Sequence, residues 1–418
     1  MTASTTNDPH RQKHMFAMFG VLLIAYVVNA MDRQVFPILL PEVREEYGFG
    51  DAGAGLQSTF FALGMGLSGI PVGYLITRVR RKTLLLLGTF LFSAVTVLTV
   101  VSAGFWDMLF WRAASGVGES LQLTALLAIA AAAFQKYRGT AIGTVNVAFA
   151  AGSLIGPALG GHLLSAYGSW RAPMLLFGLI GAGALVLVSL AVRPWFSEAR
   201  ADGGHGVRTV GGAPGLRNRN TAILAAVTVL GGLIDFGYIG MYPSFLRDEL
   251  GYSPTRAGLV VGLSGLAALL SSAGGYLGDR YDPRAVLGGF LLLTAVAAVA
   301  LFTGPTALWW QAVWSFVFGL AFSSGVFVNL AGYLVASVRG DLAGRASGLF
   351  VSAIYIPAGF AGYLFSLLAG ATSWPAAGLV QLAALSAAAA LLAALGLRPA
   401  GFARPAPAPD PGPLATAS

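Results

Sequence analysis

Hydrophobic residues along this chain do not alternate with polar ones at the period of a strand, and they do not confine themselves to one stripe of a helix. They come in long runs broken by short polar gaps. A helix needs about 20 mainly apolar residues to cross the hydrocarbon core of a bilayer. Runs of that kind fall at 14–38, 54–76, 83–103, 106–133, 140–166 and 171–192. A polar gap follows, and six more runs fall at 221–246, 257–277, 285–304, 307–336, 345–369 and 374–397. The pattern predicts an all-α membrane protein with twelve transmembrane helices in two six-helix bundles.

Composition removes the alternatives. The 418 residues are 56% apolar and 10% charged, with a mean hydropathy of +0.74. Soluble globular domains carry roughly 25% charged residues to wet their surface. An ordinary cytosolic enzyme, a disordered chain and a secreted disulfide scaffold are therefore excluded. Cysteine is absent, so there is no disulfide, thiolate chemistry or Cys-type zinc site. We expect no metal, no cofactor and no catalytic constellation. No ATP-binding loop is visible.

A net charge of +8 is compatible with a nucleic-acid footprint, but its placement points to topology and no nucleic-acid partner is expected. Of the 25 Lys and Arg, 19 fall in segments on the side of the N-terminus and 4 on the other side, with Arg33 and Arg112 inside spans. The positive-inside rule then puts both termini in the cytoplasm. The expected division is a cytoplasmic tail 1–13, a first bundle 14–192, a cytoplasmic linker 193–220, a second bundle 221–397 and a disordered tail 398–418.

The halves echo each other at offsets of 202 to 204 residues. Gly73-Tyr74-Leu75 with Arg78 recurs as Gly275-Tyr276-Leu277 with Arg280, and Ala54-Gly55-Leu56 as Ala257-Gly258-Leu259. Asp32 corresponds to Asp235, and Trp170 to Trp374. Parallel repeats of this kind build transporters whose substrate site lies between the halves near the midplane.

The loop from Gly73 to Lys82 resembles the major facilitator superfamily pattern G-x-L-[AS]-D-R-x-G-R-[RK], departing at Ile76, Thr77 and Arg80. The second copy, Gly275 to Arg284, keeps the acid as Asp279. Within that superfamily, Asp32-Arg33 with Pro41, and Arg112 with Gly116-Val117-Gly118-Glu119, resemble the anion:cation symporters. The run Gly50 to Gln57 and Gly118-Glu119-Ser120 look equally like the spinster group of lysolipid exporters. The first resemblance implies proton-coupled symport of a small organic anion, such as a sugar acid or other monocarboxylate. The second implies proton-linked export of a lysolipid or other amphiphile. In both groups the acid–Arg pair of span 1 and the acid of span 4 serve coupling and substrate binding. The resemblance implies a monomer in a bacterial-type inner membrane.

Charges inside spans carry the sharpest signal, because each costs about 2.5–3.5 kcal/mol at the centre of a lone helix. This chain has Asp32, Arg33, Arg112, Glu119 and Asp235. Helix arithmetic brings Asp32, Arg33 and Arg112 to one height, with Glu119 two turns below Arg112 near the midplane. Arg33 is the expected anion anchor, since guanidinium grips carboxylate bidentately. Arg112 is expected to pair with Asp32. Glu119 has no basic neighbour on its own face within one turn, and burial favours the neutral form of a carboxyl, which suits it to carry a proton. Asp235 could be protonated, bound to Tyr238 or a backbone carbonyl, or line the cavity.

Gln57, Gln122, Asn146 and Asn329 are further candidates for lining the substrate cavity. Arg78, Arg81, Asp279 and Arg280 are candidates for a gate that pairs with helix ends. The lone intraspan His162 is expected to be packed, and the Gly152, Gly156-Pro157 and Gly160-Gly161 series to be a helix-packing face. Gly64-x-Gly66-x-x-Gly69 matches a dinucleotide fingerprint but lies inside a span with no strand before it, so it is spurious.

Overall fold

The computed structural model describes residues 9–76, 78–199 and 209–405. Thr77, the first eight residues, 200–208 of the linker and 406–418 of the tail lie outside the described residues. The first bundle comprises α1 (Pro9–Tyr47), α2 (Asp51–Leu75), α3 (Arg81–Thr99), α4 (Phe105–Ala133), α5 (Arg138–Tyr167) and α6 (Arg171–Ala191). The second comprises α7 (Arg219–Glu249), α8 (Pro254–Arg280), α9 (Pro283–Thr303), α10 (Leu308–Ala336), α11 (Ala343–Ala371) and α12 (Trp374–Gly396). Among the described residues, eleven stretches are long and apolar enough to cross a membrane. The remaining helix, α2, packs on α4 and α11 inside the bundle.

The repeat is visible in the backbone. Gly48 after α1 and Gly251 after α7 both turn through positive φ, at 63° and 67°, a conformation that costs a residue without Cβ little. The second half is the less regular. Its α7 ends in a π-helical turn at Phe245–Glu249, and α10 and α12 widen likewise at Leu320–Phe327 and Leu379–Ala384.

The molecule has a basic end, holding the N-terminal start of α1 and the linker, and an acidic end, holding the α1–α2 turn. At the acidic end the halves are jammed together. A Cβ on Gly55 of α2 would stand 2.2 Å from the carbonyl oxygen of Gly362 on α11. On the other seam, a Cβ on Gly161 of α5 would stand 2.2 Å from that of Pro254, and one on Gly258 of α8 2.1 Å from that of Pro157. Only glycine allows backbones this close. At the basic end, added Cβ atoms on Gly73, Gly143, Gly344 and Gly348 of the same helices would meet nothing within 4 Å. The seam is thus closed at one end and splayed at the other.

Two ion pairs lock the closed end, and their arginines are related by the repeat. Arg44 of the first half pairs with Asp248 of the second at 3.1 Å. Arg247 of the second half pairs with Glu42 of the first and also donates to the Ile38 carbonyl at 2.9 Å. Arg44 and Arg247 stand 203 positions apart, the spacing that separates Asp32 and Asp235.

The linker is divided between the halves. Glu198 accepts the backbone N–H groups of Arg81 and Lys82 at 3.1 and 3.0 Å, capping α3 with a negative charge where the helix dipole favours one. Beyond the undescribed stretch, Ala213 bonds to Ser337 and Arg339 at the end of α10. Thr209–Val210 pairs antiparallel with Arg404–Pro405. The expected disordered tail 398–418 therefore begins with an ordered segment: Arg398 bonds to Asn220 through its N–H and its carbonyl, and Phe402 is buried.

Candidate functional site

A cavity of about 140 Å³ opens between the halves. Its walls come from α1 and α5 on one side and from α7, α8, α10 and α11 on the other. The irregular stretch of α10 supplies Ser323 and Phe327, and Phe149, Phe236, Phe318 and Tyr355 make much of the surface aromatic.

The polar centre stands behind this surface in the first half. Arg33 lines the cavity and donates from Nε to Glu119 Oε2 at 2.8 Å, with the two side chains 5% and 0% exposed. Its Nη2 donates to Asn29 Oδ1 at 3.3 Å, and Asn29 Nδ2 donates to Gln122 Oε1 at 2.6 Å. The Arg33 guanidinium also lies over the Phe149 ring, 5.5 Å from its centroid. Within one turn of its own helix face Glu119 has no basic neighbour; the cation it meets comes from α1, across the bundle.

Asp32 does not pair with Arg112, contrary to expectation. Thr96 Oγ1 lies 2.9 Å from both oxygens of the Asp32 carboxylate, and Ser115 Oγ is 3.4 Å from Oδ2. Ser115 Oγ is also 3.1 Å from Glu119 Oε1, so one hydroxyl stands between the two carboxylates. Arg112 is 1% exposed and lies over the rings of Phe36 and Phe61, at 4.4 and 5.1 Å. Its Nε and Nη2 have no hydrogen-bond partner among the described residues. Stacking on aromatic faces lowers the cost of burying a guanidinium but does not satisfy its N–H groups.

Of the polar side chains expected to line the cavity, Asn146 does. Gln122 is held behind Glu119, where it bonds to Asn29 and the Ala25 carbonyl. Gln57 donates to the Phe105 carbonyl at 2.7 Å and ties α2 to α4. Asn329 donates to the carbonyls of Gly274 and Gly325 at 3.0 and 2.7 Å and ties α10 to α8. These three amides satisfy backbone or network groups where helices approach, so they face neighbours rather than the cavity. Asp235 lines the cavity from α7, and the hydroxyl of Tyr238 is given to Ser315 instead, at 2.6 Å.

The expected gate residues are held locally. Arg78 lies over Tyr74 at 4.4 Å and Arg280 over Tyr276 at 4.8 Å, the same contact in both repeats. Arg81 donates to the Ala199 carbonyl at 2.8 Å, and Asp279 forms no ion pair among the described residues. Pairing across the halves has no opportunity here because the basic end is splayed. The charges that do close the protein are Glu42, Arg44, Arg247 and Asp248; of these the sequence reading counts Arg44 and Arg247 only as loop charges and does not name the two acids. The repeat spacing of Arg44 and Arg247 was the signal that could have found them. Asn29, Thr96 and Ser115 were also missed, although Asn29–Arg33 and Ser115–Glu119 are i, i+4 neighbours on one helix face.

Comparison with known proteins agrees with this architecture. A probable anion transporter of chloroplasts from Arabidopsis thaliana is 30% identical over 182 residues, 43% of this chain and 34% of that protein. A sphingosine-1-phosphate transporter of Danio rerio is 30% identical over 174 residues, 40% of this chain and 34% of that protein. The chain thus matches about a third of the length of each of these relatives. A cis,cis-muconate transport protein of Acinetobacter baylyi is 25% identical over 348 residues, 79% of this chain and 82% of that protein. Among solved structures, the nucleoside transporter NupG superposes with a TM-score of 0.75 at 11% identity, covering 91% of this chain and all of that one (100%). A bacterial homologue of the human lysosomal transporter Spinster, inward-facing and occupied, gives 0.70 at 20% identity, covering 93% of this chain and 96% of that one. The model of the Major Facilitator Superfamily matches residues 22–212 and 224–417, one stretch per bundle. A multi-pass helical protein with two repeated bundles, a cavity between them and transporters for relatives, this chain belongs to the Major Facilitator Superfamily.

Proposed function

We propose that this transporter carries a small organic anion together with a proton by alternating access. The observation that carries the reading is the Arg33–Glu119 pair at the wall of the central cavity. Arg33 cannot give its full fork to a substrate carboxylate while Glu119 holds Nε. Protonating Glu119 removes the competing charge and frees the guanidinium, so binding the anion and binding the proton favour each other. Arg112, with two N–H-bearing nitrogens unpartnered, is the reserve cation that stabilises Asp32 or Glu119 when either is ionised and Arg33 is occupied. Asp32, through Ser115, is a second acceptor for the proton.

The splayed basic end makes this an inward-open state if that end faces the cytoplasm of an inner membrane, as the Lys and Arg bias supports. A periplasm-active reporter fused near Gly212 should then stay silent. Activity there would reverse the assignment of the two ends.

A second reading, export of a lysolipid or similar amphiphile, is favoured by the aromatic lining of the cavity and by the likeness to the sphingosine-1-phosphate transporter. Arg33→Lys separates the two. Lysine keeps the charge but loses the planar fork, so affinity for organic carboxylates should fall by roughly tenfold or more, about 1.4 kcal/mol or above. Neutral amphiphiles should bind as before. An equal loss for both ligand types, measured on purified protein, would make Arg33 structural and remove the support for an anion anchor.

A further inference from the structure

The cavity exposes two charged side chains, one from each half. Arg33 on α1 is already compensated by Glu119. Asp235 on α7 has no ion pair and no hydrogen bond among the described residues, and no charged group stands against it. Its candidate partner Tyr238 is committed to Ser315. The wall beside it is aromatic, with Phe236, Phe318 and Phe327.

An uncompensated carboxylate facing a small, mostly apolar chamber is costly. A purely anionic substrate satisfies Arg33 but leaves the Asp235 carboxyl unmatched, because a buried acid with no cation beside it gives up its charge rather than bear the cost. A ligand that carries a cation as well as an anion meets both walls: its anionic group goes to Arg33, and its ammonium goes to Asp235 among aromatic faces that attract cations. We propose that the substrate is a zwitterion bearing a protonated amine beside its carboxylate or similar anionic group, and that Asp235 is the residue that selects the amine. The proposal rests on Arg33 being the anion anchor and adds the second recognition point. Gln34 and Asn146, which also line the chamber, make no hydrogen bond within the protein among the described residues and are available to a polar ligand spanning the halves.

The size of the chamber sets the probe. A cavity of about 150 Å³ accommodates one benzene ring, and this one measures about 140 Å³. Three matched compounds therefore serve: L-phenylalanine, 3-phenylpropionate, which lacks the amine, and phenethylamine, which lacks the carboxylate. Binding to purified full-length protein is measured by calorimetry for the wild type, Asp235→Asn and Asp235→Glu. We expect phenylalanine to bind the wild type about tenfold more tightly than either truncated compound. Asp235→Asn should erase that advantage while leaving 3-phenylpropionate about as tight as before, since that compound carries no cation for the residue to meet. Asp235→Glu should restore part of the preference.

If 3-phenylpropionate binds the wild type as well as phenylalanine does, Asp235 does not select an amine, while the anion reading stands. If phenethylamine binds as well as phenylalanine, the anion anchor fails and the zwitterion with it. Equal weakening of all ligands in Asp235→Asn would make the residue structural. No binding by any of the three would overturn a ring-sized zwitterion as the substrate. The wild-type ranking needs no variant, so it decides the matter even if a substituted protein fails to fold.

Discussion

Glu119→Gln in proteoliposomes should lose uptake driven by an inward proton gradient while retaining exchange of internal for external substrate. Glutamine keeps the shape of the protonated acid and cannot ionise. In the structure Glu119 holds Arg33 at 2.8 Å, which keeps the anion anchor occupied when no substrate is present. The Gln variant leaves the guanidinium without its counter-charge, a change that costs roughly 3–5 kcal/mol when a buried pair is broken. An anionic substrate then supplies the missing charge. The empty variant should therefore be less stable than the wild type and should gain more stability on adding substrate, a difference visible in thermal denaturation. Exchange survives because the loaded carrier needs no proton transfer to alternate. Net uptake stops because the empty carrier cannot release a proton and recover the Arg33–Glu119 pair for its return. Gradient-driven uptake at near the normal rate would eliminate Glu119 as the coupling site and pass the role to Asp32, its neighbour through Ser115.

Gly55→Leu should hold the acidic end open and stop transport without unfolding the protein. Even the first atom of the new side chain would lie 2.2 Å from the Gly362 carbonyl oxygen and 2.3 Å from Ser366 Oγ. The facing backbone has to move, and overpacking of this kind costs about 1–3 kcal/mol. The cost applies only when the seam is shut, so it shifts the balance of states rather than the stability of either bundle. Since 1.4 kcal/mol is tenfold in an equilibrium, the open population should rise by roughly five- to 150-fold. The Arg44–Asp248 and Arg247–Glu42 pairs would be pulled apart with it. The chain has no cysteine, so a single one at Ser244, buried beneath the latch, is a clean reporter. Its alkylation by a membrane-impermeant maleimide should accelerate about tenfold or more in the leucine variant. Unchanged labelling would mean that the Gly55–Gly362 contact does not control closure.

Membrane spans, their number and the repeat were legible because each follows from a one-dimensional rule: the length needed to cross a bilayer, and a recurrence at fixed spacing. The charged residues of the centre were legible for a related reason. A charge in an apolar run stands out wherever its side chain points, so Asp32, Arg33, Arg112, Glu119 and Asp235 were named before any geometry was known. Amides and hydroxyls give no such contrast. Gln57, Gln122 and Asn329 bond to backbone or to a network, and Asn146 lines the cavity, yet nothing in their local sequence distinguishes them.

By itself the sequence determined the membrane class, the two six-helix halves, the superfamily and the short set of intramembrane charges, because composition, run length and spacing carry those directly. Only the tertiary structure decided who meets whom. Arg33 reaches Glu119 from a different helix, so arithmetic along α4 could not see it. Arg112 settles on Phe36 and Phe61 rather than on Asp32, which Thr96 of α3 holds instead. The closed end is made by ion pairs between segments about two hundred residues apart. Such pairings depend on how helices are rotated and stacked, and that is set by packing across the whole bundle, where glycine contacts and aromatic volumes compete. No local property of the chain encodes the outcome of that competition.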